Sequence, residues 1–316
     1  MSRSIGVVMD PIQSIKPYKD STLAMMLEAQ RRGWEIHYLE MADLWMMDGE
    51  AFGSSRIIEV ADDSNDWFSF TSEASNRPLG DLDVILMRKD PPFDTEYIYA
   101  TYILEQAEAA GALVVNRPSS LRDANEKAFT AWFPQCTPPT MITRDMSRMR
   151  EMVAKHGDVI VKPLDGMGGA SIFRLKKDDP NIGVVLETLT AHGQQYAIAQ
   201  RFLPEISKGD KRILVIDGEP VSHCLARIPA TGETRGNLAA GGRGVVQEIS
   251  ARDRWIVEQV APTLKAKGLI FVGLDVIGDW LTEINVTSPT CIREIDTGAD
   301  LNIAGFLFDA IVARLD

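Results

Sequence analysis

Through the first 115 residues, short apolar runs alternate with segments of helical period, and this alternation limits the possible folds more than any other feature of the chain. Residues 4–9 form a brief apolar run. Asp20-Ser-Thr caps a periodic stretch through Leu23, Met26 and Leu27 that stops at Gly33, and residues 35–39 alternate again. A second unit runs from 83–87 through a helix over 95–110, closed by Gly111, into a strand at 113–115. Two βαβ units predict an open, parallel α/β sheet whose ligands lie beyond the carboxyl ends of its strands. Arg88, Lys89 and Asp90 stand at such an end. Residues 51–78, polar and aperiodic apart from 56–60, are expected to form an excursion of hairpin kind.

From Asn125 onward the pattern changes to α+β. Strands are expected at 159–161, 171–175, 198–200, 213–216 and 221–227, joined by turns such as Asp217-Gly218, with helices near 182–192, 250–266 and 302–314. The boundary falls near residue 122, giving an N-terminal α/β domain over 1–122 and a second unit over 123–316; a length of 316 residues suits two domains. Formal net charge is −12, which argues against a broad surface for nucleic acid or acidic lipid, so a phosphate ligand needs a local basic site. No run approaches the roughly 18 apolar residues of a membrane span. Cys136, Cys224 and Cys291 are far apart and show no metal-binding spacing, which fits a reducing, cytoplasmic setting.

Three stretches carry chemistry. Val161-Lys-Pro-Leu-Asp-Gly-Met-Gly-Gly-Ala-Ser-Ile172 places a lysine at a strand end before a glycine-rich turn. That pattern suits a phosphate cradle or, equally, a β-hairpin with a roomy turn. In Leu274-Asp-Val-Ile-Gly-Asp-Trp-Leu-Thr-Glu-Ile-Asn285, Glu283 and Asn285 lie two apart and share a strand face. A loop of odd length, such as 278–280, would bring Asp275 opposite Glu283; a two-residue turn would oppose it to Thr282. Two carboxylates and an amide oxygen on one face suit Mg²⁺, the alternative being a solvated strand face. Finally, 227–244 holds Gly232, Gly236, Gly241, Gly242 and Gly244, too many for a stable helix or strand. With Arg235 and Arg243 it reads as a mobile lid over an anionic substrate, or else as an ordinary flexible loop.

Taken in order, Lys127, the 162–171 lysine and glycine block, Gln200-Arg-Phe-Leu203, Gly209-Asp-Lys-Arg212 and the Asp275, Glu283, Asn285 set resemble the ATP-grasp ligases. Within them the chain is similar to the bacterial glutathione synthetase family, through Met87-Arg-Lys-Asp-Pro-Pro-Phe-Asp94, Lys162-Pro-Leu-Asp-Gly-Met-Gly-Gly-Ala-Ser171, Arg235-Gly-Asn-Leu-Ala-Ala-Gly-Gly-Arg243 and Glu283-Ile-Asn-Val-Thr-Ser-Pro-Thr290. The resemblance implies an ATP-grasp domain of two α+β subdomains following the N-terminal domain, with a phosphate lid at 165–171 and a substrate lid at 228–243. It places Lys127, Lys162, Gly166, Gly168, Gly169, Gln200, Phe202, Leu203 and Asp210 around ATP, and Asp275, Glu283 and Asn285 on two Mg²⁺ or Mn²⁺ ions. Arg212, Arg227 and Arg235 become the catalytic cations, and Arg88, Arg227, Arg235, Asn285, Ser288, Thr290 and Gly241 surround the substrate.

The implied reaction joins γ-glutamylcysteine to glycine, with ATP as co-substrate, through an acyl phosphate. A cytoplasmic homotetramer is implied as well. The rivals are another ATP-grasp ligase, such as a D-alanine:D-alanine or glutamate-adding enzyme, and a nucleotide-binding regulatory protein without turnover.

Overall fold

The computed structural model describes residues 3–166, 169–233, 236 and 241–316, arranged on three sheets. The first sheet holds β1 (Ser4–Val8), β2 (Glu35–Leu39), β3 (Leu44–Met47), β4 (Glu50–Val60), β5 (Phe68–Phe70), β6 (Ser75–Pro78), β7 (Val84–Met87) and β8 (Leu113–Val115). Its centre, β2-β1-β7-β8, is parallel as the βαβ reading requires. Helices α1 (Ser21–Arg31) and α2 (Thr95–Ala110) make the crossovers, and the caps read from sequence are in place. Asp20 accepts from the Leu23 amide and Gly111 closes α2 at φ 123°; Asp94, not singled out in the sequence, caps the start of α2 by accepting from the Tyr97 amide.

The 51–78 excursion is more ordered than its composition suggests. The long strand β4 pairs antiparallel with β2, β3, β5 and β6, so this region extends the sheet edge. The short helix α3 (Pro118–Asp123) then leads into the second half.

A four-stranded antiparallel sheet follows in the order β11-β10-β12-β9, with β9 at Thr140–Thr143, β10 at Asp158–Pro163, β11 at Phe173–Lys176 and β12 at Ala197–Arg201. Helices α4 (Met146–His156) and α5 (Ile182–Leu189) cover it around a separate small core of Met149, Val153, Val161 and Leu186. The third sheet runs β15-β14-β13-β16-β17, comprising β13 (Asp210–Ile216), β14 (Glu219–Ile228), β15 (Arg243–Glu248), β16 (Phe271–Ile277) and β17 (Trp280–Asn285). Here one expectation is corrected: Arg243 and Gly244 are strand, not loop. Gly244 pairs with Arg227, where it lies against the Leu225 side chain.

Helix α6 (Ala251–Ala266) packs on this sheet, and α7 (Ile292–Ala299) and α8 (Ile303–Leu315) end the chain. Grouped with the second half by sequence, α8 in fact returns to α1, where Trp34 meets Phe308 edge-on at 5.1 Å and Arg32 bonds Asp309 at 2.7 Å. The two halves share cores, so the first and third sheets are held as one body. Asn116 reinforces the join by bonding Phe271 in both directions and the Val286 carbonyl. Among the described residues no helix is long and apolar enough to cross a membrane.

The α7–α8 corner carries a half-buried carboxyl with a testable cost. Asp296 accepts from the Ile303 amide at 2.9 Å, yet burial pushes its carboxyl up to about 6. A folded-state value above the unfolded one means that ionisation opposes folding: the cost is absent while the group is protonated in both states and grows as pH rises through that window. Asp296→Asn keeps an acceptor and removes the charge. It should raise the melting temperature near pH 8 and leave it unchanged near pH 3, below the ordinary value of 3.8; a wild type that is the more stable at pH 8 contradicts this.

Candidate active site

A cavity of about 500 Å³ lies between the second and third sheets, and its far wall is the end of the first. Its floor is one face of the third sheet. Arg212 stands opposite Asp275, Asp275 opposite Glu283, and Asp210 opposite Arg227. Cross-strand partners point the same way and positions two apart share a face, so Asp210, Arg212, Arg227, Asp275, Glu283 and Asn285 all belong to that floor.

The hairpin reaches this register by a route the parity argument did not contain. Its turn has two residues, with Ile277 facing Trp280, which on a regular ladder would oppose Asp275 to Thr282. A bulge absorbs Thr282 and brings Asp275 onto Glu283. The Thr282 hydroxyl donates to the Asp275 carbonyl at 3.0 Å, pinning the extra residue.

Every carboxylate of the floor has a cation beside it. Arg212 holds Asp275 by two bonds, Nε to Oδ1 at 2.6 Å and Nη2 to Oδ2 at 3.1 Å. Arg227 bridges Asp275 at 3.0 Å and Asp210 at 2.5 Å. Burial opposes ionisation of Asp275, but the two guanidiniums outweigh it and hold the carboxyl well below the usual range. Their own values are raised in return. Gly273 makes room for this, since a Cβ there would come within 2.9 Å of Arg212 Cδ. At Asp210 burial dominates, and its carboxyl is pushed up to about 6; one of its oxygens is buried without a hydrogen-bond partner.

The opposite wall supplies lysines. From β10, Lys162 reaches Glu283 at 2.8 Å; Lys127, bonded to the Gly166 carbonyl at 2.5 Å, lies 3.9 Å from the same carboxylate. Against the cost of burial, these two lysines lower the Glu283 carboxyl. Gly166, Gly169, Gln200, Phe202 and Leu203 line the cavity above them. Arg174 stacks 3.6 Å over the Phe202 ring and is itself held by Asp158.

Ser288, Thr290 and Asn285 also line the cavity, whereas Arg88 and Gly241 do not. The Arg88 guanidinium lies behind the wall, bonding Thr22 Oγ1 at 3.1 Å and the Pro289 carbonyl at 2.9 Å, and burial pulls it down to about 10. It touches the loop that carries Ser288 and so braces the cavity wall. Gly241 is exposed, in a left-handed conformation just before β15. Gly168 and Arg235 lie outside the described residues. Gly236 of the same loop lines the cavity, and a Cβ there would sit 2.4 Å from the Arg227 carbonyl oxygen.

Asp275, Glu283 and Asn285 present oxygen donors on one face, the chemistry that hard divalent ions require. Among the described residues, however, no three or more His, Cys, Asp or Glu side chains are grouped as a metal cage. The amide of Asn285 is turned to the Gly273 carbonyl at 3.1 Å.

Sequence reasoning missed Glu126, Lys16, Lys19, Asp20, Ser21 and Glu294, all of which line the cavity. Only Asp20 carried a signal, and that was for its cap. The others come from segments remote in sequence that the fold alone brings together.

A nucleotide-sized cavity between an antiparallel lid sheet and a larger sheet, with lysines above and paired carboxylates below, defines an ATP-grasp ligase, an ATP-dependent carboxylate–amine ligase in reaction class. A D-cycloserine synthetase structure shares the fold at TM-score 0.69 and 15% identity, covering 99% of this chain and 100% of that one. So does D-alanyl-alanine synthetase A from Vibrio cholerae, at TM-score 0.60 and 11% identity over 99% and 98% of the two chains.

The chain belongs to the prokaryotic glutathione synthetase family: the model of the family's N-terminal domain matches residues 4–122 and that of its ATP-grasp domain residues 126–300. Glutathione synthetase of Vibrio vulnificus is 64% identical over 315 residues, covering 100% of this chain and 99% of the relative. That of Pseudomonas aeruginosa is 64% identical with the same coverage, and that of Escherichia coli O157:H7 is 62% identical over 98% of each chain.

The buried network makes a stability prediction. Asp275→Asn keeps the shape but leaves Arg212 and Arg227 short of a compensating charge, which should cost about 3–5 kcal/mol in denaturant unfolding. Unchanged stability would mean that the two arginines are not held by this carboxylate.

Proposed function

We propose that the cavity joins the cysteinyl carboxylate of γ-glutamylcysteine to the amine of glycine, converting ATP to ADP and phosphate. The observation that carries this reading is the meeting of Lys127 and Lys162 with Glu283, opposite Asp275, in one buried cavity. A carboxylate is a poor electrophile, so one of its oxygens first attacks the γ-phosphorus and ADP leaves. The glycine amine then attacks the acyl carbon, phosphate leaves, and the nitrogen gives up a proton.

In this reading Lys127 and Lys162 turn from Glu283 to the phosphates, and Gly166, Gly168 and Gly169 cover them with backbone amides. Gln200, Phe202 and Leu203 form the hinge beside adenine, with Asp210 near. Asp275, Glu283 and Asn285 hold two divalent ions, Mg²⁺ or Mn²⁺, which when bound neutralise phosphate charge. Arg212 and Arg227, fixed by the carboxylates beneath them, stabilise charge on the transferring group, and Arg235 is brought by the lid between β14 and β15. Ser288 and Thr290 orient the dipeptide on a wall that Arg88 supports, and Gly241 lets the lid bend over it. Closing that lid keeps water from the acyl phosphate.

Division into 1–122 and 123–316 is supported by the limits of the two family matches. Family resemblance supports a cytoplasmic homotetramer as part of this proposal, and all three cysteines are buried and unpaired, as suits a reducing compartment.

Phosphate release tests the reaction. It should require ATP, γ-glutamylcysteine and glycine together, and Glu283→Gln should lower kcat by at least about 100-fold while shifting the Mg²⁺ requirement upward. Release with D-alanine alone would point to a different ligase. Unchanged activity of Glu283→Gln at low millimolar Mg²⁺ would remove Glu283 from the metal site.

A further inference from the structure

Three consecutive residues ahead of the first short helix of the second half tie together two walls of the cavity. Asn125 accepts from the amides of Lys127 and Ala128 and donates to the Leu164 carbonyl at 3.2 Å, fixing the turn against the start of the glycine loop. Lys127 extends to the Gly166 carbonyl. Glu126 turns the other way. A single oxygen of its buried carboxylate accepts from the Val286 amide at 2.9 Å, the Thr287 amide at 3.1 Å and the Thr287 hydroxyl at 2.8 Å, and its backbone carbonyl accepts from the Ile284 amide at 2.8 Å.

We infer that Glu126 is a positioning residue: it fixes the 284–288 segment, which presents Asn285 and Ser288 to the cavity, in register with the phosphate-facing Lys127. Glu126 accepts four hydrogen bonds from donors on three residues of the segment, Ile284, Val286 and Thr287. They fall on the stretch where β17 ends and the chain must hold an irregular path along the cavity wall. A carboxylate suits the task because one oxygen accepts several bonds, each stronger for its charge. Burial raises its carboxyl and these same bonds pull it back. The segment is also held by the β16 ladder at Ile284 and Asn285, by Asn116 at the Val286 carbonyl and by Arg88 at Pro289, but Glu126 is the residue that ties it to the Lys127 turn. Because Asn125 and not Glu126 sets the Lys127 turn, the nucleotide wall and the acceptor wall are held by separate bonds from adjacent residues.

This inference rests on the proposed placement of the dipeptide at Ser288 and Asn285, and its test separates the two. In the full-length enzyme, Glu126→Ala should lower kcat by at least about 30-fold and raise the KM for γ-glutamylcysteine at least about 5-fold, while the Kd for ADP, measured by calorimetry without dipeptide, changes less than about 2-fold. Glu126→Gln, which keeps an oxygen in place, should recover most of the lost kcat. Thr287→Val, which removes one bond of the four and spares the fold, should shift the dipeptide KM in the same direction by about 2–3-fold and decides the matter if Glu126→Ala does not fold. Wild-type kcat and dipeptide KM in folded Glu126→Ala, or in Thr287→Val where the alanine variant is unfolded, overturn the positioning role. So does an ADP Kd that weakens in step with kcat, which would place the effect on the nucleotide side. If Ser288→Ala leaves the dipeptide KM unchanged while Glu126→Ala lowers kcat, the dipeptide placement fails and the positioning of Asn285 stands.

Discussion

The structure depends on compensation of buried charge across the floor of the cavity. Asp275 and Glu283 face each other on adjacent strands, the first buried and the second largely so, an arrangement of like charges that needs compensation. Two different solutions sit side by side. Asp275 is fixed by guanidiniums from its own sheet, through planar two-point bonding that arginine supports and lysine does not. Glu283 is matched by lysines from across the cavity, point charges on flexible stems. The arginine pairs belong to the scaffold. The lysine pair spans a cleft between two sheets, and its members are the groups that a polyphosphate and a divalent ion would draw apart.

That asymmetry gives the fold a rationale. The third sheet shares its cores with the first, so the floor and the far wall form one rigid surface, whereas the lid sheet has its own small core around Met149 and Val161. Chemistry that must admit two substrates and a nucleotide and then exclude water benefits from one wall that is fixed and one that is separately built. Residues 125–127 stand at the junction, with Asn125 and Lys127 bonded to the glycine-loop side and Glu126 to the 284–287 side.

Much of this was legible in the sequence. The βαβ units were marked by apolar period, by the cap at Asp20 and by the stop at Gly111, all local signals. The site was legible through Lys162 and its glycines and through the Glu283-Ile-Asn285 alternation. What escaped was decided at long range. Parity of the 275–283 hairpin turned on a bulge at Thr282, stabilised by a bond to a carbonyl seven residues away, which no count of turn residues contains. Strand β4 gains its order from neighbours on both sides, and Gly244 is strand because Arg227 lies opposite it. Arg88 stands at a strand end as expected, yet its guanidinium is taken by Thr22 and Pro289 behind the wall, a fact of packing that position alone does not disclose.

The central claim, that the Lys162–Glu283 pair holds the place of phosphate and metal, is tested most directly by a crystal structure of the protein with a non-hydrolysable ATP analogue and Mg²⁺. The account predicts that Lys162 Nζ leaves the 2.8 Å contact with Glu283 for a phosphate oxygen, while Arg212 keeps both of its bonds to Asp275. A structure in which the nucleotide is bound, Lys162 still rests on Glu283 and the phosphates are held elsewhere would contradict it.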